Sequence, residues 1–153
     1  VLDRIEAGRR VSIEREVFPA LAAEGSLRAV CSEAYWLDTG TPEAYLRAQT
    51  DLLDGTRARM EPLAATASVA VDAVVDRAVV MSGACVGSGA TVCDAVVMEG
   101  AVVEAGAVVR HSVLGPGARV GRRAEVTGWS LIGRGQVVGD DARVDGSRIP
   151  DEG

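Results

Sequence analysis

The sequence predicts a mainly β protein: a parallel β-helix of about five turns, preceded by a small α+β segment. Aliphatic residues recur from Leu63 to Ile149 at almost uniform intervals of six, with an interval of five at nearly every third step. A small residue stands two positions before most of them, and glycine often follows. Such a short fixed period is typical of a solenoid, in which only stacked repeats can bury a core.

Two sets of positions define the repeat. The aliphatic set is Leu63, Val69, Val75, Val80, Val86, Val92, Val97, Val103, Val109, Leu114, Val120, Val126, Ile132, Val138, Val144 and Ile149. The small set is Ala67, Ala73, Ala78, Ala84, Ala90, Ala95, Ala101, Ala107, Ser112, Ala118, Ala124, Ser130, Gln136, Ala142 and Ser147, with Gln136 as the bulky exception. Because side chains of a strand alternate between its faces, we expect both sets to point inward, with three short strands in each turn. We also expect the glycines that follow the aliphatic residues, directly or within a few residues, to turn the corners by adopting positive φ. Those that follow directly include Gly87, Gly115, Gly121, Gly133 and Gly139.

The composition supports a narrow core and excludes several classes of protein. The chain is 48% apolar but only 3% aromatic, and 18 of its 153 residues are glycine. A net charge of −6 argues against sequence-independent binding to nucleic acid, which needs clustered Lys and Arg. The three cysteines (Cys31, Cys85 and Cys93) form no CxxC pair, so the sequence predicts neither a disulfide framework nor a zinc site. We therefore expect the protein to lie in a reducing cytoplasm. We also expect it to have no membrane-spanning segment and no leader.

The first helix is predicted to begin at Ile13, with Ser12 as its N-cap and acidic residues in its first turn. Pro19 should bend or end its first part, and Gly25 should close it. The side chains expected to face a core are Val17, Phe18 and Leu21.

Two short strands and a second helix are predicted next. The strands span residues 27–31 and 34–37, and Thr41 caps the helix, whose first position is Pro42. Its apolar stripe consists of Tyr45, Leu46, Ala48, Leu52 and Leu53. Gly55 ends the helix, and residues 56–62 form a charged linker. Since these elements bury too little surface to fold alone, we expect the β-helix or a missing N-terminal segment to cover them.

Residues 11–19 (VSIEREVFP) and 35–46 (YWLDTGTPEAYL) resemble segments of sugar nucleotidyltransferases. Together with the hexapeptide repeat, they resemble the C-terminal part of the GDP-mannose pyrophosphorylase (mannose-1-phosphate guanylyltransferase) family, across essentially the whole chain. The resemblance implies a left-handed β-helix over 63–150, a linker over 56–62, and a C-terminal remnant of an α/β catalytic domain over 1–55.

The resemblance also implies an activity that this chain could perform only in part. In such enzymes mannose 1-phosphate attacks the α-phosphorus of GTP with Mg²⁺ as cofactor, which gives GDP-mannose and pyrophosphate. The Gly-rich nucleotide loop has no counterpart here. The lysine that meets the sugar phosphate has none either, since the chain contains no Lys. We therefore expect the chain alone to be inactive, with the β-helix serving assembly, as a homo-oligomer, or regulation.

Three residues are carried over from the family motif as site candidates. Asp38 matches the Asp that helps to hold magnesium with a second Asp, which would lie outside this chain; alternatively it only shapes the turn before the second helix. Trp36 would line the sugar pocket or pack in a core. Glu14 would contact the sugar or only serve the helix dipole.

Two other functions remain open from the sequence: a hexapeptide acyltransferase and a non-catalytic oligomerisation scaffold. In the first, His111, the only histidine, would act as general base, whereas its place between two faces favours a solvated corner residue. We expect Cys85 and Cys93 to point outward. Five arginines are expected to form an exposed basic face: Arg119, Arg122, Arg123, Arg134 and Arg143.

Overall fold

The computed structural model describes residues 1–56 and 58–150, and within them three parallel sheets wrap into a β-helix of about five turns. The first face contains β1 (Ser68–Val69), β4 (Cys85–Val86), β7 (Val102–Val103), β10 (Arg119–Val120) and β13 (Val137–Val138). The second face contains β2 (Val74–Asp76), β5 (Thr91–Cys93), β8 (Val108–Arg110), β11 (Glu125–Thr127) and β14 (Arg143–Asp145). The third face contains β3 (Val79–Val80), β6 (Val96–Val97), β9 (Val113–Leu114), β12 (Leu131–Ile132) and β15 (Arg148–Ile149). The predicted fold, a left-handed parallel β-helix, is confirmed.

The strand register gives the length of one turn. Val69 pairs with Val86, and Val86 pairs with Val103, so each of these turns takes 17 residues. Val126 pairs with Val144, which is a turn of 18. The extra residue lies in the corner after β11, where the sequence has an interval of six in place of the expected five.

The core of the β-helix consists of the two predicted sets of residues. From Ala78 to Val138 the aliphatic and small positions are buried, except Gln136, which is half-buried. Leu63 is an exception at the start: it bridges to Val80 but stays 43% exposed, because the first complete turn begins only after it. The prediction that Leu63 is a core residue is therefore wrong.

Two buried serines replace alanine at the small positions, and their hydroxyls are satisfied. Ser112 Oγ donates to the Arg110 carbonyl at 2.8 Å. Ser130 Oγ donates to the Thr127 carbonyl at 2.5 Å and accepts from the Ser147 N–H at 3.1 Å. Each serine hydroxyl donates to a carbonyl at the same kind of corner. A polar side chain is tolerated there because the adjacent backbone accepts its hydrogen bond.

The glycines directly after the aliphatic positions have a different role from the one predicted. Positive φ occurs instead at the glycine before the small residue, as in Gly89 (φ +64°) and Gly117 (φ +67°). A Cβ on Gly121 would lie 2.6 Å from the Asp140 nitrogen of the next turn, and Gly87 and Gly115 are similarly crowded. Gly87, Gly115 and Gly121 thus lie where neighbouring turns approach closely. The prediction of positive φ is confirmed at glycines a few residues after an aliphatic position, such as Gly89 and Gly117, and is wrong for the five that follow directly.

Residues 1–35 form a separate compact unit. A 3-10 turn (Leu2–Arg4) is followed by one turn of π-helix (Ile13–Val17) and by α1 (Phe18–Ala23). Ser12 Oγ accepts from the Arg15 N–H, which confirms the predicted cap, and Gly25 has φ +69°. The buried side chains of this unit include Val17 and Leu21, whereas Phe18 is 37% exposed, contrary to the prediction.

Neither predicted strand forms in residues 27–31 or 34–37. A β-strand needs a hydrogen-bonded neighbour, and no described strand lies beside either segment, so side chains such as Val30 are exposed. The second compact unit begins at Trp36 and contains α2 (Pro42–Leu53) together with the β-helix, whereas the sequence divides the chain at 55. Within the described residues no helix is long and apolar enough to cross a membrane.

Candidate functional site

Residues 38–41, the Asp38 turn, are held by two side-chain hydrogen bonds. Asp38 Oδ1 accepts from the Gly40 N–H at 3.0 Å, and Thr41 Oγ1 accepts from the Ala44 N–H at 3.2 Å. Pro42 opens α2, where its missing N–H costs nothing. Asp38 thus shapes the turn, and because a carboxylate has several acceptor positions, this role leaves capacity for a second partner.

The side chain of Trp36 projects from the start of the same compact unit. It is 81% exposed, so it is not a core residue of the described part of the chain. Asp38 is also exposed. Two exposed side chains of this kind, two residues apart, can contact a molecule that approaches the Asp38 turn.

Glu14 lies in the other compact unit, residues 1–35, in the first turn of Ile13–Val17, and is exposed. Its neighbour Glu16 closes the helix start, since Glu16 Oε1 accepts from the Ser12 N–H at 3.1 Å. That hydrogen bond, followed by the one from Arg9, lowers the pKa of Glu16. Capping of this helix therefore does not depend on Glu14, whose contact with a sugar stays a prediction.

A magnesium site needs more ligands than this region supplies. Magnesium takes six oxygen ligands and is usually held by one or two carboxylates, with waters and phosphate oxygens completing its shell. Across 1–56 and 58–150 there is no group of three or more His, Cys, Asp or Glu that could hold a metal ion. Asp38 thus fits such a site as one ligand, and the described residues do not complete it.

Helix α2 docks on the outer surface of the third face. The outward side chains of its first three strands are Val79, Val96 and Val113, here called the docking row, and they are only 5, 0 and 7% exposed. Leu46 of α2 packs into the same cluster and is 6% exposed. The half-buried members of the cluster are Tyr45, Leu53, Met60, Met81, Met98 and Leu131. An apolar outer row is explained by this helix, because outward positions of a β-helix otherwise meet water.

The two ends of α2 meet the β-helix differently. At the C-terminal end, Asp54 Oδ2 lies 3.5 Å from Arg77 Nη1. At the N-terminal end, a groove of about 340 Å³ separates the Asp38 turn and Tyr45 from the third face, with Leu131 and Arg148 on the far side. Burial, and next the charge of Glu99, raise the pKa of Tyr45. The Asp38 turn and Tyr45 thus lie opposite the third face across this groove.

The corner between the second and third faces carries a column of four non-glycine residues with positive φ. They are Arg77, Asp94, His111 and Trp129. Arg77 Nε lies 3.2 Å from Asp94 Oδ1, and His111 Nε2 lies 3.6 Å from Asp94 Oδ2. The His111 and Trp129 rings contact each other in a tilted arrangement, with 5.3 Å between centroids and 53° between planes. His111 is a half-exposed corner residue, as the sequence favours.

The predicted basic face does not form. Arg119 lies on the first face and Arg143 on the second, whereas Arg123 occupies a corner. Each is paired with an acid of a neighbouring turn: Arg119 with Glu104, Arg123 with Asp141 at 2.6 Å, and Arg143 with Glu125 at 3.3 Å. The partners of each pair are far apart in the sequence, so the pairs are not apparent from it. They come together because one turn takes 17 or 18 residues. Cys85 is exposed and Cys93 half-buried, both as free thiols.

Comparison with known proteins identifies the family. The model of the GMPPB C-terminal domain family matches residues 62–151. The chain belongs to this family. It is 51% identical over 57 residues to the mannose-1-phosphate guanylyltransferase of Mycobacterium tuberculosis, a match that covers 36% of this chain and 16% of that protein. It is 37% identical over 89 residues to a probable mannose-1-phosphate guanylyltransferase 3 of Arabidopsis thaliana, covering 58% and 25%. The chain thus spans a quarter or less of these relatives.

Solved structures with a similar fold are more distant. The acetyltransferase domain of PglB from Neisseria gonorrhoeae, in complex with acetyl coenzyme A, has a TM-score of 0.43 at 18% identity and covers 71% of this chain and 63% of its own. A mutant perosamine N-acetyltransferase from Caulobacter crescentus has a TM-score of 0.38 at 18% identity, covering 88% and 66%. Similarities this low carry no argument about activity.

Proposed function

We propose that this chain is the C-terminal part of a sugar-1-phosphate nucleotidyltransferase that joins mannose 1-phosphate to GTP and releases GDP-mannose and pyrophosphate. The observation that carries the proposal is the family match over residues 62–151, together with relatives named mannose-1-phosphate guanylyltransferase in a bacterium, a plant and a yeast. The β-helix serves assembly, as a homo-oligomer, or regulation. Three free cysteines are compatible with a cytoplasmic location.

The Asp38 turn is proposed to complete a catalytic site whose other half comes from the remaining length of the enzyme. Asp38 would hold Mg²⁺ as one ligand, and Mg²⁺ would neutralise charge on the phosphates. The exposed ring of Trp36 would cover the sugar, and Glu14 would hydrogen-bond to it. The chain has no Lys to meet a sugar phosphate, so it is proposed to be inactive by itself.

A chimera tests the proposal. Residues 36–150 would replace the matching C-terminal part of the Mycobacterium tuberculosis relative, and GDP-mannose formation from GTP and mannose 1-phosphate would be measured with Mg²⁺. We expect an active chimera, and Asp38→Asn should lower kcat by about 100-fold or more because a charged metal ligand is lost. Asp76→Asn, at an exposed position of β2 on the second face, is the matched control and should retain activity.

Three outcomes would contradict the proposal. A folded but inactive chimera would show that this segment does not serve that reaction. An active Asp38→Asn chimera would remove Asp38 from the metal site. Turnover by the purified 153-residue chain, assayed beside the intact relative, would show that the chain needs no further catalytic part.

A further inference from the structure

We infer that the β-helix positions the Asp38 turn through the docking row, so that Leu46 and Val96 are positioning residues for Asp38. The inference rests on the proposed function for the role of Asp38. It extends that function by giving the β-helix a direct part in the geometry of the site, in addition to assembly or regulation.

The first argument comes from the difference between the three faces. On the first face the outward residues include exposed Ser68, exposed Cys85 and Val137, which is 63% exposed. On the second face they include Val74, at 53% exposed, and the Arg143–Glu125 pair. The apolar docking row on the third face is the one set of outward strand residues that α2 covers. Burial of this apolar row stabilises one position of α2 on the β-helix.

The second argument is that the connection from the row to Asp38 is short and rigid. Leu46 lies five residues after Thr41, which caps the helix through the Ala44 N–H. The Tyr45 N–H donates to the Thr41 carbonyl at 2.9 Å, so the first helical turn is closed at the cap. One residue before the cap, the Gly40 N–H donates to Asp38 itself. A shift of Leu46 on the third face therefore moves the Asp38 turn.

The third argument is the second attachment, at the other end of α2. Asp54 meets Arg77, which also bonds to Asp94. The Met60 N–H donates to the Leu52 carbonyl at 3.2 Å and brings the following segment back to the helix. An apolar contact near the N-terminal end of α2 and a polar contact at its C-terminal end fix the position of the helix along the β-helix and the direction of its axis.

The test uses the 153-residue chain and backbone amide exchange measured by NMR. Val96→Thr keeps the shape of the side chain but places a hydroxyl in the apolar contact. We expect the Ala44 and Tyr45 amides to exchange roughly tenfold faster or more, with shifted Asp38 and Gly40 signals, because local opening of α2 becomes easier. The Val92 and Val109 amides of the second face should exchange at unchanged rates.

The matched control is Val137→Thr, the same change at an outward valine of the exposed first face, and it should leave all these amides unaltered. Val96→Ile, which keeps the contact apolar, should leave the exchange of the Ala44 and Tyr45 amides slow. The inference is overturned if Val96→Thr leaves the Asp38 turn unchanged, or if Val137→Thr disturbs it equally. Leu46→Ala gives a second variant with the same expectation, should Val96→Thr fail to fold. Since no turnover is measured, an inactive chimera would refute the proposed function without affecting this result.

Discussion

The glycines that follow the aliphatic positions give a sharp prediction about stability. In Gly121→Ala the new Cβ would lie 2.6 Å from the Asp140 nitrogen, and reaching ordinary contact at 3.4 Å requires the two turns to separate by about 0.8 Å. The Gly121 N–H bond to the Val138 carbonyl and the Arg119 N–H bond to the Gln136 carbonyl are both 2.8 Å long. Stretching them by that amount takes them beyond hydrogen-bonding distance.

Two weakened bonds at about 1 kcal/mol each predict a loss of about 2 kcal/mol in the free energy of unfolding. The corresponding decrease in Tm is about 4–8 °C for a chain of this size. Urea denaturation followed by circular dichroism, together with a thermal scan, measures both quantities.

Two control variants separate crowding from backbone strain. Gly139 occupies the same place one turn later, where a Cβ would meet nothing within 4 Å, so Gly139→Ala should change stability by less than about 0.5 kcal/mol. Gly89 also has open space but has φ +64°, so Gly89→Ala should cost about 1 kcal/mol. Equal stabilities of the Gly121→Ala and Gly139→Ala variants would refute the close-approach explanation.

Three further predictions concern single side chains. Ser130→Ala should lower the free energy of unfolding by about 1 kcal/mol, because the Ser147 N–H loses its acceptor. Ser112→Ala should cost less, because the Ser112 hydroxyl only donates, to the Arg110 carbonyl; urea denaturation compares the two variants. The pKa of Asp141 is lowered, first by its hydrogen bond from Arg123, so this contribution to stability is present above the unfolded pKa and is lost as pH falls through the folded one. Arg123→Met should raise the Asp141 pKa in an NMR titration, and an unchanged value would contradict the pairing. Glu99→Gln should lower the raised pKa of Tyr45 only in part, since burial is the larger cause; absorbance at alkaline pH reports it, and complete normalisation would be the contrary result.

The β-helix could be predicted from sequence because its signal is periodic and local. Residues such as Val92 and Ala107 are buried as expected, since a repeated inward position leaves one consistent way to stack the turns. The role of Gly121 cannot be predicted in this way, because its close approach to Asp140 is a contact between turns and gives no signal in the local spacing. The arginine pairs were missed for the same reason.

The candidate site could be predicted only in its local chemistry. The Thr41 cap and Pro42 were correctly placed because capping depends on a few adjacent residues. The strand predicted at 27–31 failed because a strand needs a neighbour, which intrinsic preference cannot supply. The docking of α2 on Val96 could not be read from the sequence, since an outward valine of a β-helix shows no sign of what covers it.

The place where α2 rests also determines where the length of this protein can vary. Each turn of a solenoid contacts only the turns beside it, so whole 17-residue modules can in principle be gained or lost. Beyond Ile132 such a duplication or deletion leaves the three docking valines at their present spacing. A duplication or deletion between Val79 and Val113 would change that spacing, and α2 would lose its apolar contact with the docking row. Related proteins of different length should therefore differ in the number of turns at the C-terminal end.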